Sequence, residues 1–536
     1  MTLPPCVVHE DDDLLVVNKP PGWNTHAPGP HAGEGIYDWL KHREPKWAQL
    51  AIIHRLDKDT SGLLVFGKTT RANRSLTRQF MEREVHKRYI LVTDRPAQRD
   101  EFTVVSSIVR AGDHYASLPL TAGGERAETR FRVLRREGER TWLAAEPVTG
   151  RTHQIRVHAA AEGLPVLGDA LYGGSAAARL HLHAAELEFE QPESGDALRL
   201  AVPPDFSTPA ARQLRDAVID RVATDTFRCV QGAADGQPGR YRDRLGGWLL
   251  LAGENTPPLT EASALLGSGE GLPAVHGVYF KPLLRQVRKV PVAAASPQLL
   301  AGVVAPERFP VRENGVTFEL SLTEGYSVGL FLDQRDNRRR LLRGHVAAGF
   351  PLYAEVPSGV PEVLNCFAYT CGFSVCAALG GARVTSLDLS RKYLDWGRRN
   401  FELNGLDPAG HDFIYGEVFD WLKRLAKKAR LFDVLILDPP TFSRSREHGD
   451  FRSETDYGSL VSLALPLLRP DGVLLASTNT ARLLPEPFIG QVHAAILNAG
   501  RSVVQEHYGP QPPDFPVARE EPAYLKTLWL RISGAG

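Results

Sequence analysis

The sequence predicts three successive regions: a sheet-dominated α+β domain, a smaller α+β domain, and an α/β domain built on a parallel sheet. With 536 residues, the chain is long enough for about three or four domains of ordinary size. Up to about residue 203, short β-rich runs alternate with Gly, Pro and Asp punctuation. After about residue 330, near-continuous apolar strands alternate with helical segments, which is typical of a doubly wound parallel sheet.

The predicted boundaries follow changes of pattern along the chain. The first domain covers 1–203, because the two prolines at 203–204 cannot continue a ladder and helical spacing follows them. We therefore predict a linker at 204–222. Strands and turns resume over 223–329 and predict the small α+β domain, and the β–α–β pattern assigns 330–536 to the last domain.

The composition limits the possible classes of protein. Lys and Arg together number 63, as do Asp and Glu, so the formal net charge is zero and any nucleic-acid site must be local. Five cysteines are too few for a disulfide framework and fit a reducing compartment. No signal-peptide pattern and no run of about 20 apolar residues is found. We therefore expect a cytoplasmic protein without membrane association.

The string HRLDKDTSGLL, residues 54–64, places a carboxylate between two cations. Arg55 and Lys58 flank Asp57, and neighbouring positive charge favours the ionised form of a carboxyl group. An ionised aspartate can act as a nucleophile or a base. The alternative is an Asp that caps an Arg-rich turn.

This string resembles the catalytic loop of the RluA-type pseudouridine synthases, and three further stretches follow the family's order. They are EDDDLLVVNKP at 10–20, VHKRYILV at 85–92 and TGRTHQIRVHAAAEGLPVLGDALY at 149–172. The resemblance covers roughly residues 5–203. It implies an α+β pseudouridine synthase domain that acts on RNA and uses neither a cofactor nor a metal.

The resemblance also implies catalytic roles. Asp57 matches the family's catalytic aspartate, which engages the target uridine while its glycosidic bond is broken and the base is reattached through carbon 5. Tyr89 matches a tyrosine that packs on the base and is implicated in deprotonation, although a tyrosine is common in any sheet. Arg156 matches the arginine that pairs with the catalytic aspartate and keeps it ionised.

RNA contacts are expected around this loop. We expect Arg55 to fill the space that the extruded nucleotide leaves, and Arg151 and Lys87 to contact the RNA. The histidines of the last family block and its neighbourhood lack a plausible set of co-ligands for zinc, so we interpret them as structural or RNA-contacting. These are His153, His158, His181 and His183.

A second constellation lies in the last domain. Within EVLNCFAYTCGFS, residues 362–374, a strand ends in a small-residue loop that opens a helix. Asp388 closes the next strand. An acid at that position can accept hydrogen bonds from a ribose diol. Because the loop lacks the glycine triplet of dinucleotide sites, the pattern favours a nucleoside cofactor without a pyrophosphate.

This region resembles the class I S-adenosylmethionine-dependent methyltransferases, most closely the large-subunit rRNA methyltransferases of the RlmI and RlmK types. The supporting blocks are LTEGYSVGLFLDQRDNRRR at 322–340, the cofactor loop and ribose acid at 365–390, and DPPTFS at 438–443. The resemblance covers about 223–536. It implies an α/β Rossmann-like methyltransferase domain with S-adenosylmethionine as cofactor, and RNA as partner, with 23S rRNA or a pre-ribosomal large subunit expected.

The resemblance implies a set of cofactor contacts. Asp388 would hold the ribose and Glu417 the adenine edge, where family members usually carry Asp. Asp438 would lie beside the transferable methyl group. The other expected cofactor contacts are Gln334, Arg338, Asn365, Phe367, Tyr369, Gly372 and Leu389, and the expected RNA contacts here are Pro439, Phe442 and Asn479.

The absence of a cysteine at one position bears on which atom of the RNA base is methylated. Methylation of cytosine at carbon 5 needs a covalent nucleophile, normally a thiolate, and the family's cytosine branch carries one where this chain has Ser477–Thr480. Cys366, Cys371 and Cys376 lie in the cofactor loop and its helix, where we expect packing roles. We therefore favour guanine nitrogen 7, which is already nucleophilic, and keep cytosine carbon 5 as the alternative.

The sequence thus predicts a bifunctional RNA-modifying enzyme; the alternative is that one half is a non-catalytic RNA-docking module. Two basic segments lie beside the two predicted sites. Residues 68–99 carry nine cations against three acids, a local charge of +6, and residues 335–343 carry five arginines against Asp336. We expect both segments to serve phosphates, or the cofactor carboxylate in the second case, with solvated faces as the alternative.

Overall fold

The computed structural model describes residues 3–31, 33, 35–267, 274–283, 291, 295–354, 359–445 and 449–534. It divides into two compact units. Unit 1 comprises Met1–Pro28, Glu34–Lys41 and Gln49–Ile219, and unit 2 comprises Gly29–Gly33, His42–Ala48 and Asp220–Gly536.

The predicted linker, residues 204–222, contains the point at which the chain passes from unit 1 to unit 2. A helix at Ala210–Val218 occupies much of it and belongs to unit 1, which ends at Ile219. Within unit 2, the division does not separate residues 223–329 from residues 330–536.

The first 219 residues form an α+β arrangement around one sheet. Eleven of the described strands join in it, in the order β1-β2-β4-β10-β5-β9-β8-β6-β7, with β3 beside β4 and β11 beside β10. The strands are β1 (Val7–Glu10), β2 (Leu14–Lys19), β3 (Ala51–Ile52), β4 (Ser61–Gly67), β5 (His86–Thr93), β6 (Glu101–Ala111), β7 (His114–Leu118), β8 (Glu125–Glu137), β9 (Arg140–Pro147), β10 (Leu182–Glu190) and β11 (Ala197–Ala201). The helices are α1 (Ile36–Arg43), α2 (Thr70–Met81), α3 (Gln154–Ala161) and α4 (Ala210–Val218).

Strand β4 is the centre of unit 1 and follows the predicted catalytic loop directly. All seven of its residues, SGLLVFG, are buried, and it pairs antiparallel with β2 and parallel with β10. Leu63 and Val65 pack in one cluster with Leu76 of α2. The loop that carries Asp57 is thus anchored at the amino end of a strand buried on both faces.

The part of the chain before the last sheet, residues 226–351, has α+β character. The described strands form a five-stranded sheet, β12-β13-β14-β15-β16, and two hairpins. The elements are β12 (Thr226–Gln231), β13 (Tyr241–Leu245), β14 (Trp248–Gly253), α5 (Leu259–Ala264), β15 (Gly277–Pro282), β16 (Gln298–Gly302), β17 (Phe309–Glu313), β18 (Val316–Leu320), α6 (Arg335–Arg343), β19 (His345–Ala347) and β20 (Phe350–Pro351).

The last part of the chain is α/β. The described strands form a seven-stranded sheet in the order β23-β22-β21-β24-β27-β29-β28, whose first five members run parallel, whereas β29 runs antiparallel to β27 and β28. Its strands and the hairpin β25–β26 are β21 (Glu362–Cys366), β22 (Arg383–Asp388), β23 (Asp412–Tyr415), β24 (Phe432–Leu437), β25 (Phe442–Ser445), β26 (Gly449–Arg452), β27 (Leu468–Thr478), β28 (Val503–Gly509) and β29 (Lys526–Ile532). The helices are α7 (Gly372–Leu379), α8 (Arg391–Glu402), α9 (Val418–Lys427), α10 (Ser453–Ala464) and α11 (Pro485–Asn498).

This topology collects polar residues at one edge of the sheet. The order reverses at β21, so that β21 lies between β22 and β24, and ligands bind at such a switch point beyond the carboxyl ends of the strands. Asp388 ends β22, Asp438 follows β24, and Ser477 lies near the end of β27. The predicted fold class, including the parallel sheet, is confirmed.

Gly62 of β4 lies against the backbone of β10, so a substitution there tests how closely the two strands pack. Gly62 has φ of +117°, and a Cβ atom there would lie 2.3 Å from the carbonyl oxygen of Ala184. We predict that Gly62→Ala lowers the free energy of unfolding by more than about 2 kcal/mol, since strain and backbone overlap add. Gly138→Ala is the control, with φ of +57° and open space around it, and should cost about 1 kcal/mol. Equal effects in urea denaturation would contradict the packing argument.

Candidate active sites

A cavity of about 860 Å³ in unit 1 contains the predicted synthase residues. Asp57 lies in the loop before β4, Tyr89 in β5 and Arg156 in α3, and all three line the cavity. Arg55, Lys87 and Arg151 line it too. The structure therefore brings together all six residues that the sequence analysis selected in this half of the chain.

Arg156 contacts Asp57 while a second acid holds it in place. Its Nη1 lies 3.5 Å from Oδ2 of Asp57, and it donates two hydrogen bonds to Asp169, Nε to Oδ2 at 2.7 Å and Nη2 to Oδ1 at 2.8 Å. Arg156 is 8% exposed and Asp169 2%. Burial alone would lower the pKa of Arg156, but the Asp169 carboxylate raises it. The guanidinium is thus a fixed cation.

The backbone around Asp57 is held by a buried lysine from the NKP turn. Lys19 Nζ donates to the carbonyl oxygens of Pro20, Trp23 and Lys58, at 3.0, 2.7 and 2.9 Å. Burial lowers the pKa of Lys19 to about 7, opposed by the negative charges of Asp59 and Asp57. Because Lys58 directly follows Asp57, this clamp limits movement of the carboxylate.

Tyr89 forms part of the cavity wall and is half-buried. Burial raises its pKa, and the charge of Asp57 raises it further, so the phenol keeps its proton at neutral pH. A protonated ring is suited to packing against a base. As a proton acceptor it would be effective only after the charge near it changes.

The basic segment 68–99 is less positive than its sequence suggests. Six of its nine cations form ion pairs, several with acids outside the segment: Lys68 with Glu10, Arg71 with Asp13, Arg78 with Glu82 and Glu84, Arg88 with Glu186, Arg95 with Asp94, and Arg99 with Glu162. In the described part of the chain, Lys87 has no such pair, and burial lowers its pKa. Among the described residues, Arg74 and Arg83 likewise form no ion pair, and of these three cations Arg83 and Lys87 line the cavity.

The cofactor loop after β21 is a tight turn with strained backbone. Phe367, Tyr369 and Cys371 all have positive φ, at 59°, 50° and 64°, before α7 begins at Gly372. The turn brings the N–H of Tyr369 to Oδ2 of Asp388 at 2.8 Å. Such conformations persist where the surrounding structure imposes them, often at ligand sites.

Asp388 has the environment expected of a ribose acid. Its Oδ1 accepts the N–H of Ser390 at 2.8 Å, and burial raises its pKa against the effect of these backbone hydrogen bonds. Each carboxylate oxygen retains a lone pair for a diol. Beside it, Leu389 is exposed at the same edge of the sheet.

Gln334 joins Asp438 to a residue that the sequence analysis did not select. Its Nε2 donates to Oδ2 of Asp438 at 3.2 Å and to Oγ of Ser477 at 2.8 Å, and Asn337 Nδ2 donates to its Oε1 at 2.7 Å. Burial raises the pKa of Asp438 to about 6. The sequence indicates Ser477 only as the place of an absent cysteine, although its position at a strand end is a usable signal.

The loop also holds a buried polar atom suited to a ligand. Asn365 donates Nδ2 to Ser374 at 2.9 Å, whereas its buried Oδ1 finds no hydrogen-bond partner among the described residues. Glu417 accepts the N–H groups of Phe419 and Asp420 and so caps α9. Together with Asp388, the unmatched oxygen of Asn365 fits a cofactor that offers a diol at one end and an ammonium group at the other.

The expectation that Arg338 binds the cofactor requires correction. Its Nε and Nη2 donate to the Glu313 carboxylate at 2.7 and 2.6 Å, and Nη2 also donates to the carbonyl of Phe331. Both partners of this ion pair are buried. With its donors engaged, Arg338 serves to hold α6 against β17.

The same correction applies to most of the arginine-rich helix α6. Arg335 pairs with the buried Asp514 at 2.7 Å, and Arg340 donates to the carbonyl of Val346. Arg335, Arg338, Arg339 and Arg340 are all buried. The helix is therefore neither a phosphate-binding face nor a solvated basic face.

The remaining selected residues lie at the carboxyl ends of two neighbouring strands. Pro439 is buried and Phe442 partly buried after β24, whereas Asn479 is exposed after β27. Cys366, Cys371 and Cys376 are fully packed in the core, and burial raises the pKa of Cys371 to about 12. Their predicted packing role agrees with these positions.

Comparison with known proteins gives the class of each half. Residues 13–161 match the family model of RNA pseudouridylate synthases, and residues 243–531 match that of S-adenosylmethionine-dependent methyltransferases. The chain therefore belongs to the S-adenosylmethionine-dependent methyltransferase family and carries a pseudouridine synthase region before it. It is both an isomerase and a transferase, as the sequence predicts, and its methyltransferase half uses S-adenosylmethionine.

Two similar proteins are named as methyltransferases of ribosomal RNA. The chain is 32% identical over 327 residues to ribosomal RNA large subunit methyltransferase I of Klebsiella pneumoniae (strain 342), covering 60% of this chain and 78% of the relative. It is 31% identical to the protein of that name from Escherichia coli O139:H28, with the same coverage.

Two solved structures also align with parts of the chain. Human RNA pseudouridylate synthase domain containing 1 is 26% identical, with coverage of 37% of this chain and 82% of that chain and a TM-score of 0.31. The S-adenosylmethionine-dependent methyltransferase from Agrobacterium tumefaciens is 17% identical, with coverage of 59% and 91% and a TM-score of 0.41.

The described residues contain neither a membrane-spanning helix nor a metal-binding group of side chains. Among the described residues, none of the helices is long and apolar enough to span a bilayer. Within the same residues, no three His, Cys, Asp or Glu side chains are grouped closely enough to hold a metal ion.

The raised pKa of Asp438 predicts a pH-dependent penalty. Below about pH 4 the carboxyl is protonated whether folded or unfolded, but above about pH 6 folding must bury its charge. We predict that Asp438→Asn increases the free energy of unfolding at pH 8, by up to about 3 kcal/mol, and has little effect at pH 4. Asp395→Asn removes an exposed carboxylate and serves as the control in urea denaturation at both pH values. A gain that does not vary with pH would contradict this account.

Proposed function

We propose that the chain is a bifunctional enzyme that isomerises a uridine through Asp57 and methylates a base of the same class of RNA, namely large-subunit rRNA. The observation that carries the proposal is the convergence of Asp57, Tyr89 and Arg156 on one cavity in unit 1. A fixed guanidinium beside a clamped carboxylate is the arrangement that this isomerisation needs.

The isomerisation conserves every atom of the uridine. The bond between nitrogen 1 and the ribose carbon breaks, the bond from carbon 5 to that carbon forms, the proton leaves carbon 5, and nitrogen 1 gains a proton. Asp57 engages the nucleoside while the bonds exchange, and Arg156 contacts its carboxylate at Oδ2. Tyr89 packs on the base, Arg55 occupies the space that it leaves, and Lys87 and Arg151 contact the RNA.

The second reaction takes place at the edge of the seven-stranded sheet. S-adenosylmethionine, when bound, supplies an electrophilic methyl group. We assign the ribose to Asp388 and Leu389 and the adenine edge to Glu417. The methionine end is assigned to Gln334 and to the loop residues Asn365, Phe367, Tyr369 and Gly372. We assign Asp438 to the methyl group, and Pro439, Phe442 and Asn479 to the RNA.

Guanine nitrogen 7 is the proposed methyl acceptor. It needs no covalent activation, and orientation beside the methyl group suffices. Ser477–Thr480 contain no cysteine, and burial raises the pKa of the Cys371 thiol to about 12, so that cysteine is not a thiolate at neutral pH. These observations favour guanine over cytosine carbon 5, which remains the alternative.

The names of the relatives support large-subunit rRNA as the substrate, either as 23S rRNA or in a pre-ribosomal particle, and hence a cytoplasmic location. A half that served only for RNA docking would not need its reactive groups. Unit 1 keeps Asp57, Tyr89 and Arg156, and unit 2 keeps Asp388 and Asp438. We therefore favour two activities over one.

Two variants separate the activities. In a deletion strain complemented with each variant, Asp57→Asn should remove one pseudouridine and leave methylation intact, because the amide cannot act as a nucleophile or base. Asp388→Ala should remove one methylated base and leave the pseudouridine. The readout is mass-spectrometric mapping of rRNA after cyanoethylation, which adds mass to pseudouridine but not to uridine, and the wild-type gene is the control.

Each outcome bears on a separate part of the proposal. Retention of every pseudouridine in the Asp57→Asn strain would exclude catalysis through Asp57. The chemical identity of the base lost in the Asp388→Ala strain distinguishes 7-methylguanine from 5-methylcytosine.

A further inference from the structure

His153 occupies the cavity wall in a conformation that histidine seldom adopts. Its φ is 57° and its ψ is 13°, in the left-handed region, and it directly precedes helix α3. Its Nε2 lies 3.8 Å from Oδ2 of Asp57. A strained residue beside a reactive group points to a role in the site, because the surrounding fold must hold it there.

The hydroxyl of Tyr172 is the hydrogen-bond partner of one imidazole nitrogen of His153. The tyrosine hydroxyl accepts the backbone N–H of Tyr115 at 3.1 Å and lies 2.8 Å from Nδ1 of His153. The hydroxyl also carries a proton that it can donate to Nδ1. The neutral imidazole then carries its hydrogen on Nε2, the nitrogen that faces Asp57.

The surroundings favour this neutral form. The groups that face His153 are Asp57, Arg156, Asp169, Asp59, Tyr115 and Tyr172. Burial lowers the pKa of His153, and the positive charge of Arg156 lowers it further, whereas the three aspartates act in the opposite direction. Tyr172 is itself fixed, since the guanidinium of Arg156 lies over its ring at 5.0 Å.

Two donors therefore approach the same oxygen of the predicted nucleophile. The closest approaches of His153 Nε2 and Arg156 Nη1 to Asp57 are both to Oδ2. A carboxylate held at one oxygen has its other oxygen directed elsewhere. No hydrogen bond from a described residue reaches Oδ1 of Asp57.

We propose that His153 is a positioning residue of the synthase reaction: oriented by Tyr172, it holds Oδ2 of Asp57 together with Arg156 and leaves Oδ1 to engage the uridine. This inference rests on the proposed role of Asp57. Because His153 acts on the orientation of the carboxylate, its loss should lower kcat and leave the KM for RNA nearly unchanged.

Two substitutions of His153 separate positioning from backbone strain. Asn tolerates the left-handed region better than other residues but has no donor at the position of Nε2. Gln carries an amide nitrogen near that position but fits the backbone less well. We expect His153→Asn to lower kcat about 10- to 100-fold and His153→Gln to stay within about threefold of wild type. Tyr172→Phe removes the hydroxyl that bonds to Nδ1, so His153 can adopt either tautomer. This variant should lower kcat about tenfold.

The measurements are kcat and KM for pseudouridine formation on a uridine-containing rRNA fragment with the full-length chain, and thermal unfolding of each variant. If His153 were merely structural, Asn would retain more activity than Gln, and this order would overturn the proposal. Wild-type kcat in both His153→Asn and Tyr172→Phe would also overturn it. Asp57→Asn is assayed in parallel: if it remained active, the proposed function itself would fail, whereas an inactive Asp57→Asn with fully active His153 variants refutes only the positioning role.

Discussion

The buried ion pair between Arg156 and Asp169 is the constraint on which the synthase cavity depends. Burying two charges is costly, and such a pair is favourable only with good geometry and matched hydrogen bonds. Here two short, parallel hydrogen bonds meet that requirement. The guanidinium is then fixed, so its remaining nitrogen faces Asp57 and its plane covers the ring of Tyr172. The orientation of Asp57, Tyr172 and His153 thus follows from one pair.

The methyltransferase site depends instead on parallel strands, whose carboxyl ends lie at one edge of the sheet. Asp388, Asp438 and Ser477 come from three strands and reach the same edge because those strands run in one direction. Gln334 connects Asp438 with Ser477, and Asn337 orients Gln334. Side-chain hydrogen bonds from Gln334, rather than a buried ion pair, therefore connect the residues of this half's site.

The synthase residues could be predicted from the sequence because each lies in a short characteristic string. Asp57, Tyr89 and Arg156 lie in recognisable blocks, and the structure brings them to one cavity. Sequence reasoning failed where a residue's partner is distant in sequence. The arginines of α6 look free in the sequence, but the acids that neutralise them, Glu313 and Asp514, lie on other elements. No periodicity or local charge count contains that pairing, and the same reason explains why the charge of residues 68–99 is overstated.

The most direct test of this account is the kcat of pseudouridine formation by Asp169→Asn. Asp169 is not placed next to the uridine, and it acts only by fixing Arg156. The account predicts that kcat falls about 10- to 100-fold with little change in KM, while Asp113→Asn, which alters an exposed carboxylate, has no effect. A folded Asp169→Asn enzyme with wild-type kcat would contradict the central claim that the buried pair positions the site.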